Sequence, residues 1–245
     1  MSDLREAFAR HISSEFNEEL EGLCSDLLKM GGLAERQVRL AIECQEHFDS
    51  ALLDQIKAAE NSVNAWEIRI DELVESTIAL RQPAATDLRL ILVVSKIVRD
   101  LERAGDEANK VAEMAQHASE ADRTSALGSV EVKAIGEQVL RLLGDSLTAF
   151  ARLDVDMALD VARRDKEVDR TYQSALRSLA TFMIEDPREI GHVLNVMWVL
   201  RALERIGDHA TNIAEHVIYL VKGTDVRHTS VGNIEASLKS VSDFN

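Results

Sequence analysis

The sequence predicts an all-α protein built as two tandem three-helix bundles, and three observations carry that expectation. Apolar residues recur at alternating steps of three and four over most of the chain. The 245 residues hold only two prolines, Pro83 and Pro187, and 4% aromatics, a composition that favours helices over a β-sandwich. The second half also repeats the first. Leu101-Glu102-Arg103-Ala104-Gly105-Asp106-Glu107-Ala108-Asn109-Lys110-Val111-Ala112-Glu113 aligns, at an offset of 102, with Leu203-Glu204-Arg205-Ile206-Gly207-Asp208-His209-Ala210-Thr211-Asn212-Ile213-Ala214-Glu215. Eight of those thirteen positions are identical, where chance gives about one, so a duplicated unit is the better explanation.

The first helix is read from Phe16, Leu20, Leu23, Leu27, Met30, Ala34, Ala41, Cys44 and Phe48, a series that only Gln37 interrupts. Gly31 and Gly32 lie inside it at about 1 kcal/mol each relative to alanine. The phase is the same on both sides of them, so they mark a weak spot rather than a boundary. Asp49 and Ser50 are candidate caps for a second helix, Leu52 to Leu80, which stops at Arg81-Gln82-Pro83. Pro83 is expected at the start of a third helix, from about Ala84 to His117, where its missing N–H is no loss. The polar stretch Ser119 to Ser125 separates the halves. A fourth helix carries Val132 to Leu153, a fifth runs from about Asp156 to Glu185, and a sixth follows Pro187 and stops at Gly223. The expected units are therefore 1–118, 126–223 and a loose tail, 224–245.

With 28 basic and 43 acidic residues the net charge is −15, which argues against nucleic acid and anionic membrane and favours cations and basic partners. The amino-terminal residues lack an apolar signal region, and the longest pure apolar run, Leu90 to Val94, is far short of a span, so a cytoplasmic location is expected. Cys24 and Cys44 suit neither a disulfide framework nor a CxxC site.

The chemistry lies in acidic stripes. At about 100° per residue, Glu102, Asp106, Asn109 and Glu113 share one face of the third helix, away from its apolar sector. Glu204, Asp208, Thr211 and Glu215 do the same on the sixth. The second helix adds Glu60, Asn64, Glu67 and Asp71, and the fifth adds Asp165 and Asp169. Brought together, such carboxylates repel one another unless a multivalent cation binds. An all-oxygen set suits iron, magnesium or manganese better than zinc. The bland alternative is a solvated face whose acids pair with Arg103 and Arg205. The glycine before each motif aspartate, Gly105 and Gly207, favours the site, because it clears space beside the stripe.

Other candidates carry less. Glu189-x-x-His192 has the spacing of a ferritin-like di-iron ligand pair, but that chemistry needs two such motifs, so a helix-start acid and a surface histidine are expected. His209 and His216 are possible auxiliary ligands, and Trp66 and Trp198 are expected in the core or in interhelix packing. With no Gly-rich phosphate loop, recognisable Ser/His/Asp set or CxxC pair, no enzyme is expected.

The two repeat motifs, together with Pro83-Ala84-Ala85-Thr86-Asp87-Leu88-Arg89, Met30-Gly31-Gly32-Leu33 and Asp225-Val226-Arg227-His228, closely resemble the PhoU family of bacterial phosphate-signalling regulators. The resemblance implies a cytoplasmic, all-helical, often dimeric protein of two three-helix bundles whose Glu/Asp-x-x-x-Asp motifs bind metal clusters, and it adds Asn212, which faces Lys110 in the first repeat. It implies a negative regulator of the phosphate regulon and modulator of phosphate uptake, a non-catalytic adaptor. The partners implied are the ATPase subunit of the phosphate ABC transporter and the PAS-type region of the sensor histidine kinase, so membrane association is expected only through them. The competing expectation from the residues is a metal-storage or redox protein built on the carboxylate clusters.

Overall fold

The computed structural model describes residues 14–120, 127–227 and 229. Six long helices account for nearly all of them: α1 Ser14–Glu46, α2 Ser50–Arg81, α3 Ala85–Glu120, α4 Ser129–Arg152, α5 Val155–Glu185 and α6 Ile190–Lys222. No strand occurs among the described residues.

The turns follow local chemistry. Asp49 caps α2, its Oδ1 accepting from the Ala51 amide at 2.9 Å, and Asp154 caps α5 through the Met157 amide at 2.9 Å. Gly223 ends α6 at φ 73, and its amide donates back to the Tyr219 carbonyl. Two turns differ from expectation. Pro83 lies outside α3, in a turn flanked by two left-handed residues, Gln82 and Ala85 (φ 48 and 49), the second of which is the first residue of the helix. Between α5 and α6, Pro187–Glu189 forms a single 3-10 turn, with the Asp186 carboxylate capping the Arg188 amide. Ser119 and Glu120 of the expected separating stretch continue α3, and its remaining residues, 121–125, lie outside the described residues.

Helices α1–α3 form one bundle and α4–α6 the second, with α3 packed along α6 and α1 against α4. The buried apolar residues of both halves make one continuous core, from Leu20, Leu27 and Met30 through Ile97 and Leu101 to Phe150, Leu203 and Ile213. The close approach of α1 and α4 explains one glycine. A Cβ on Gly31 would lie 2.6 Å from Leu147 Cδ2, whereas one on Gly32 would meet nothing. The polar interruption in α1 is accounted for as well: Gln37 is fully buried and its Nε2 donates to the Gly105 carbonyl at 2.9 Å.

The tail does not start loose. Val226 is buried in the core, and Arg227 holds Asp225 beside it. Residues 1–13, 228 and 230–245, including His228 and most of the expected tail, lie outside the described residues.

Candidate metal-binding clusters

The fold brings the stripes together in pairs. In the first half, α2 and α3 place Glu60, Asn64, Glu67 and Asp71 near Glu102, Asp106, Asn109 and Glu113, all half-buried. Burial, then the charges of Asp106 and Glu113, push the Glu60 carboxyl above its ordinary range. Glu67 is raised by burial and by Asp71, and Glu102 by burial, Asp106 and Glu67. Ser95 Oγ reaches Asp71 at 3.5 Å, and Asn109 Nδ2 reaches Glu113 at the same distance.

In the second half, α5 and α6 do likewise. Asp165 is pushed up to about 6 by burial first and then by Asp169 and Asp208. Glu215 rises to about 7, through burial and then Asp225. Glu204 and Asp208 are raised by burial and, respectively, by Asp208 and Asp169. Each half is thus a set of mutually repelling carboxylates held partly out of water.

The two motif glycines admit different groups. At Gly105 the space is filled by Gln37, whose Oε1 would lie 2.8 Å from an added Cβ. At Gly207 it is Asp165 that comes close, at 3.4 Å, together with Val139. Repeat-equivalent oxygens face both clusters without a hydrogen bond of good geometry: Asn109 Oδ1 in the first and Thr211 Oγ1, beside Asp165, in the second. An all-oxygen, carboxylate-rich set suits a hard cation, with Asn109 Oδ1 unpaired in the first half and Thr211 Oγ1 held only to Asp165 in the second. Among the described residues no three His, Cys, Asp or Glu side chains converge tightly enough to hold a metal ion as they stand.

Several expected ligands have other partners. Arg201 Nη1 donates to both Glu204 oxygens, at 2.8 and 2.7 Å. Asn212 lies on the α3 side of α6, its Nδ2 donating to Asp100 Oδ1 at 3.1 Å. Arg205 pairs with Glu107 of α3 at 3.0 Å, and not with its own motif glutamate.

The histidine and tryptophan expectations need correction. His209 and His216 are buried, each 7% exposed, and both turn to Asp100: His209 Nδ1 lies 3.0 Å from Oδ1 and His216 Nε2 3.4 Å from Oδ2. They serve the contact between halves because α3 lies over that edge of α6. His192 is likewise no surface residue; it is buried, with Nε2 3.0 Å from the Leu127 carbonyl. Trp66 does pack between helices, under Lys29 and Arg69 at 5.7 and 5.0 Å. Trp198 does not: it is 66% exposed. Burial pushes the Cys24 thiol up to about 12 and raises Cys44, so neither is poised for thiolate chemistry.

Sequence reasoning passed over Asp100 and Glu107. Both are acids in the apolar sector of α3, between Ile97, Leu101, Ala104, Ala108 and Val111, and that misplacement was the available signal.

The PhoU domain model matches residues 27–115 and 132–217, one copy on each bundle. The chain belongs to the PhoU family. A Pseudomonas aeruginosa relative, named phosphate-specific transport system accessory protein PhoU homolog, is 51% identical over 236 residues, covering 96% of this chain and 97% of that one. The Escherichia coli K12 protein, named phosphate-specific transport system accessory protein PhoU, is 40% identical and covers 94% of each chain. The crystal structure of PhoU from Pseudomonas aeruginosa superposes with a TM-score of 0.83 at 55% identity, covering 85% of this chain and all (100%) of that one. That of the phosphate transport system regulatory protein PhoU from Streptococcus pneumoniae shares the fold, with a TM-score of 0.78 at 24% identity, covering 86% and 99%.

Proposed function

We propose that this PhoU-family protein is the accessory protein of a bacterial phosphate-specific transport system, a non-catalytic negative regulator of the phosphate regulon. Nearly full-length likeness to relatives bearing that name carries the reading. In this reading the protein resides in the cytoplasm, forms a homodimer and modulates phosphate uptake. It links the ATPase subunit of the transporter to the PAS-type region of the sensor histidine kinase when phosphate is plentiful. A rigid double bundle with two related faces suits that task, since an adaptor needs two surfaces and no chemistry. No helix among the described residues is long and apolar enough to cross a membrane, in keeping with recruitment through the partners.

The carboxylate clusters give the adaptor its metal dependence. Glu60, Asn64, Glu102, Asp106, Asn109 and Glu113 in the first half, with Asp165, Asp169, Glu204, Asp208 and Glu215 in the second, are the proposed ligands of iron, magnesium or manganese, with zinc less suited; Asn212, turned to Asp100, is not among them. A bound cation would supply the positive charge that the clusters lack, and only through it would these residues hold α2 to α3 and α5 to α6.

Complementation tests the regulatory reading. Expressed in a phosphate-signalling bacterium that lacks its own PhoU-like protein, together with the cognate kinase and transporter, the chain should restore repression of alkaline phosphatase in phosphate-rich medium. Derepression despite soluble expression would remove that reading and leave metal storage or redox chemistry as the alternative.

A further inference from the structure

The outer face of α6 carries Ile190, Leu194 and Trp198 at steps of four, 41%, 46% and 66% exposed. Side chains at that spacing lie above one another on a helix and form one apolar strip. Arg201 and Arg205 continue the same face three and seven residues beyond Trp198. Arg205 and Lys110 of α3 share Glu107 Oε1, each at 3.0 Å.

The ion pairs here point their anions inward. The Glu107 and Glu204 side chains are 5% and 12% exposed, while Arg201, Arg205 and Lys110 are 50%, 44% and 52% exposed. Each pair presents its cation to the solvent, so the edge of this face toward α3 is locally positive on a chain whose net charge is −15, while the exposed carboxylate of Asp208 bounds it one turn beyond Arg205. The repeat sharpens the contrast. The counterpart of Trp198 at the offset of 102 is Lys96, which is half-buried with its ammonium 5.5 Å from the Tyr219 ring. Only the second half replaces that lysine with a tryptophan and leaves it open.

From this arrangement we propose that the α6 face of Ile190, Leu194 and Trp198 is a docking surface for an amphipathic segment of a partner protein. Apolar side chains of that segment cover the strip, and its carboxylates meet Arg201, Arg205 and Lys110. The inference rests on the adaptor reading and deepens it by naming the surface and the partner's chemistry. Charge complementarity selects the occupant. A second copy meeting this face with its own would bring further cations where carboxylates are needed. A basic partner, which the net charge alone favours, is repelled at this place. Exposed aromatic and arginine side chains in one patch are also the residue types that dominate binding energy at protein interfaces.

The test uses the purified full-length chain with the purified ATPase subunit of the cognate phosphate transporter and, separately, the cytoplasmic region of the cognate sensor kinase. In a Trp66→Phe background Trp198 becomes the sole tryptophan, and its emission should shift to the blue on binding. Trp198→Ala should weaken binding to at least one of the two partners tenfold or more. Leu194→Ser and Arg201→Gln should each weaken it several-fold with unchanged far-UV circular dichroism, and added salt should weaken the wild type more than Arg201→Gln. Binding of the wild type with no loss in these variants and no shift of Trp198 emission overturns the docking surface and leaves the adaptor reading intact. No binding of the wild type to either protein defeats the adaptor reading itself. Should sedimentation show that Trp198→Ala dissociates a dimer, the face belongs to a second copy and the proposal is wrong.

Discussion

Asp100 of α3 and His209 of α6 meet across the two halves of the molecule, with Asp100 Oδ1 3.0 Å from His209 Nδ1. His216 reaches the other carboxylate oxygen at 3.4 Å and Asn212 shares the first at 3.1 Å. Burial acts to raise this carboxyl, but the hydrogen bonds from His209, His216 and Asn212 outweigh it and hold it at about 2. The clasp joins the halves but is not itself repeated, since the position equivalent to Asp100 is Ala202.

Removing the clasp should be costly. Asp100→Ala leaves two buried histidines without their acceptor and is expected to lower stability by about 2–4 kcal/mol. Asp100→Asn keeps the shape and one acceptor oxygen and should cost less. Urea denaturation followed by circular dichroism measures both. Equal midpoints for Asp100→Ala and wild type would refute the clasp.

The motif glycines should respond differently to alanine although their sequence context is the same. Gly105→Ala drives a methyl against Gln37 Oε1 at 2.8 Å and is expected to cost about 1–3 kcal/mol. Gly207→Ala meets its nearest atoms at 3.4 Å, an ordinary contact, and gains up to about 1 kcal/mol of helix propensity, so it should be close to neutral. Thermal denaturation of the two variants side by side reads the difference.

Stability without metal should fall as pH rises from mildly acidic to neutral. Asp165 and Glu215 have carboxyls raised to about 6 and about 7, so the folded state holds their protons more tightly than the unfolded chain does. The stability they contribute is complete below the unfolded values near pH 4 and is lost as pH climbs through 6 and 7. Asp100 has the opposite sign: its contribution is present above about pH 4 and disappears as pH falls toward 2. In chelator the melting temperature should therefore peak between these windows. Asp165→Asn should flatten the neutral limb by ~1–2 kcal/mol. A melting temperature that rises from pH 5 to 7 in chelator would contradict the repulsion.

Manganese or magnesium should reverse that loss. At neutral pH the cation is expected to raise the melting temperature of the wild type by mass action on the folded state. Asp106→Asn with Asp208→Asn should remove most of the gain while leaving helicity unchanged. Calorimetric titration of the chelated protein gives the same comparison without unfolding it. Identical uptake by the double variant would exclude both aspartates as ligands.

Much of the molecule was legible in the residues. Apolar period and repeat located all six helices, because each buries one stripe whose spacing is written locally. The acidic stripes were legible for the same reason, and so was the pairing of α2 with α3 and of α5 with α6, since short turns force neighbours together. Gln37 stood out as a break in an apolar series, yet its partner, the Gly105 carbonyl, lies 68 positions away and has no local signature. His192 looked like a surface histidine, and His209 and His216 like auxiliary ligands of the stripe, because helical phase alone does not say which edge a neighbouring helix covers.

The sequence by itself determined helix number, order and repeat and the presence of four acidic stripes, all of which follow from periodicity and from residue type at fixed spacing; the family came from the resemblance of its motifs. Only the tertiary structure decided which edges of α3 and α6 meet. That contact buried Asp100 among His209, His216 and Asn212, turned Glu107 inward to Arg205, and left Trp198 open where its repeat counterpart Lys96 is engaged by Tyr219. The physical reason is that a duplicated unit specifies its own bundle twice over, whereas the packing of one copy on the other depends on the few positions where the copies differ.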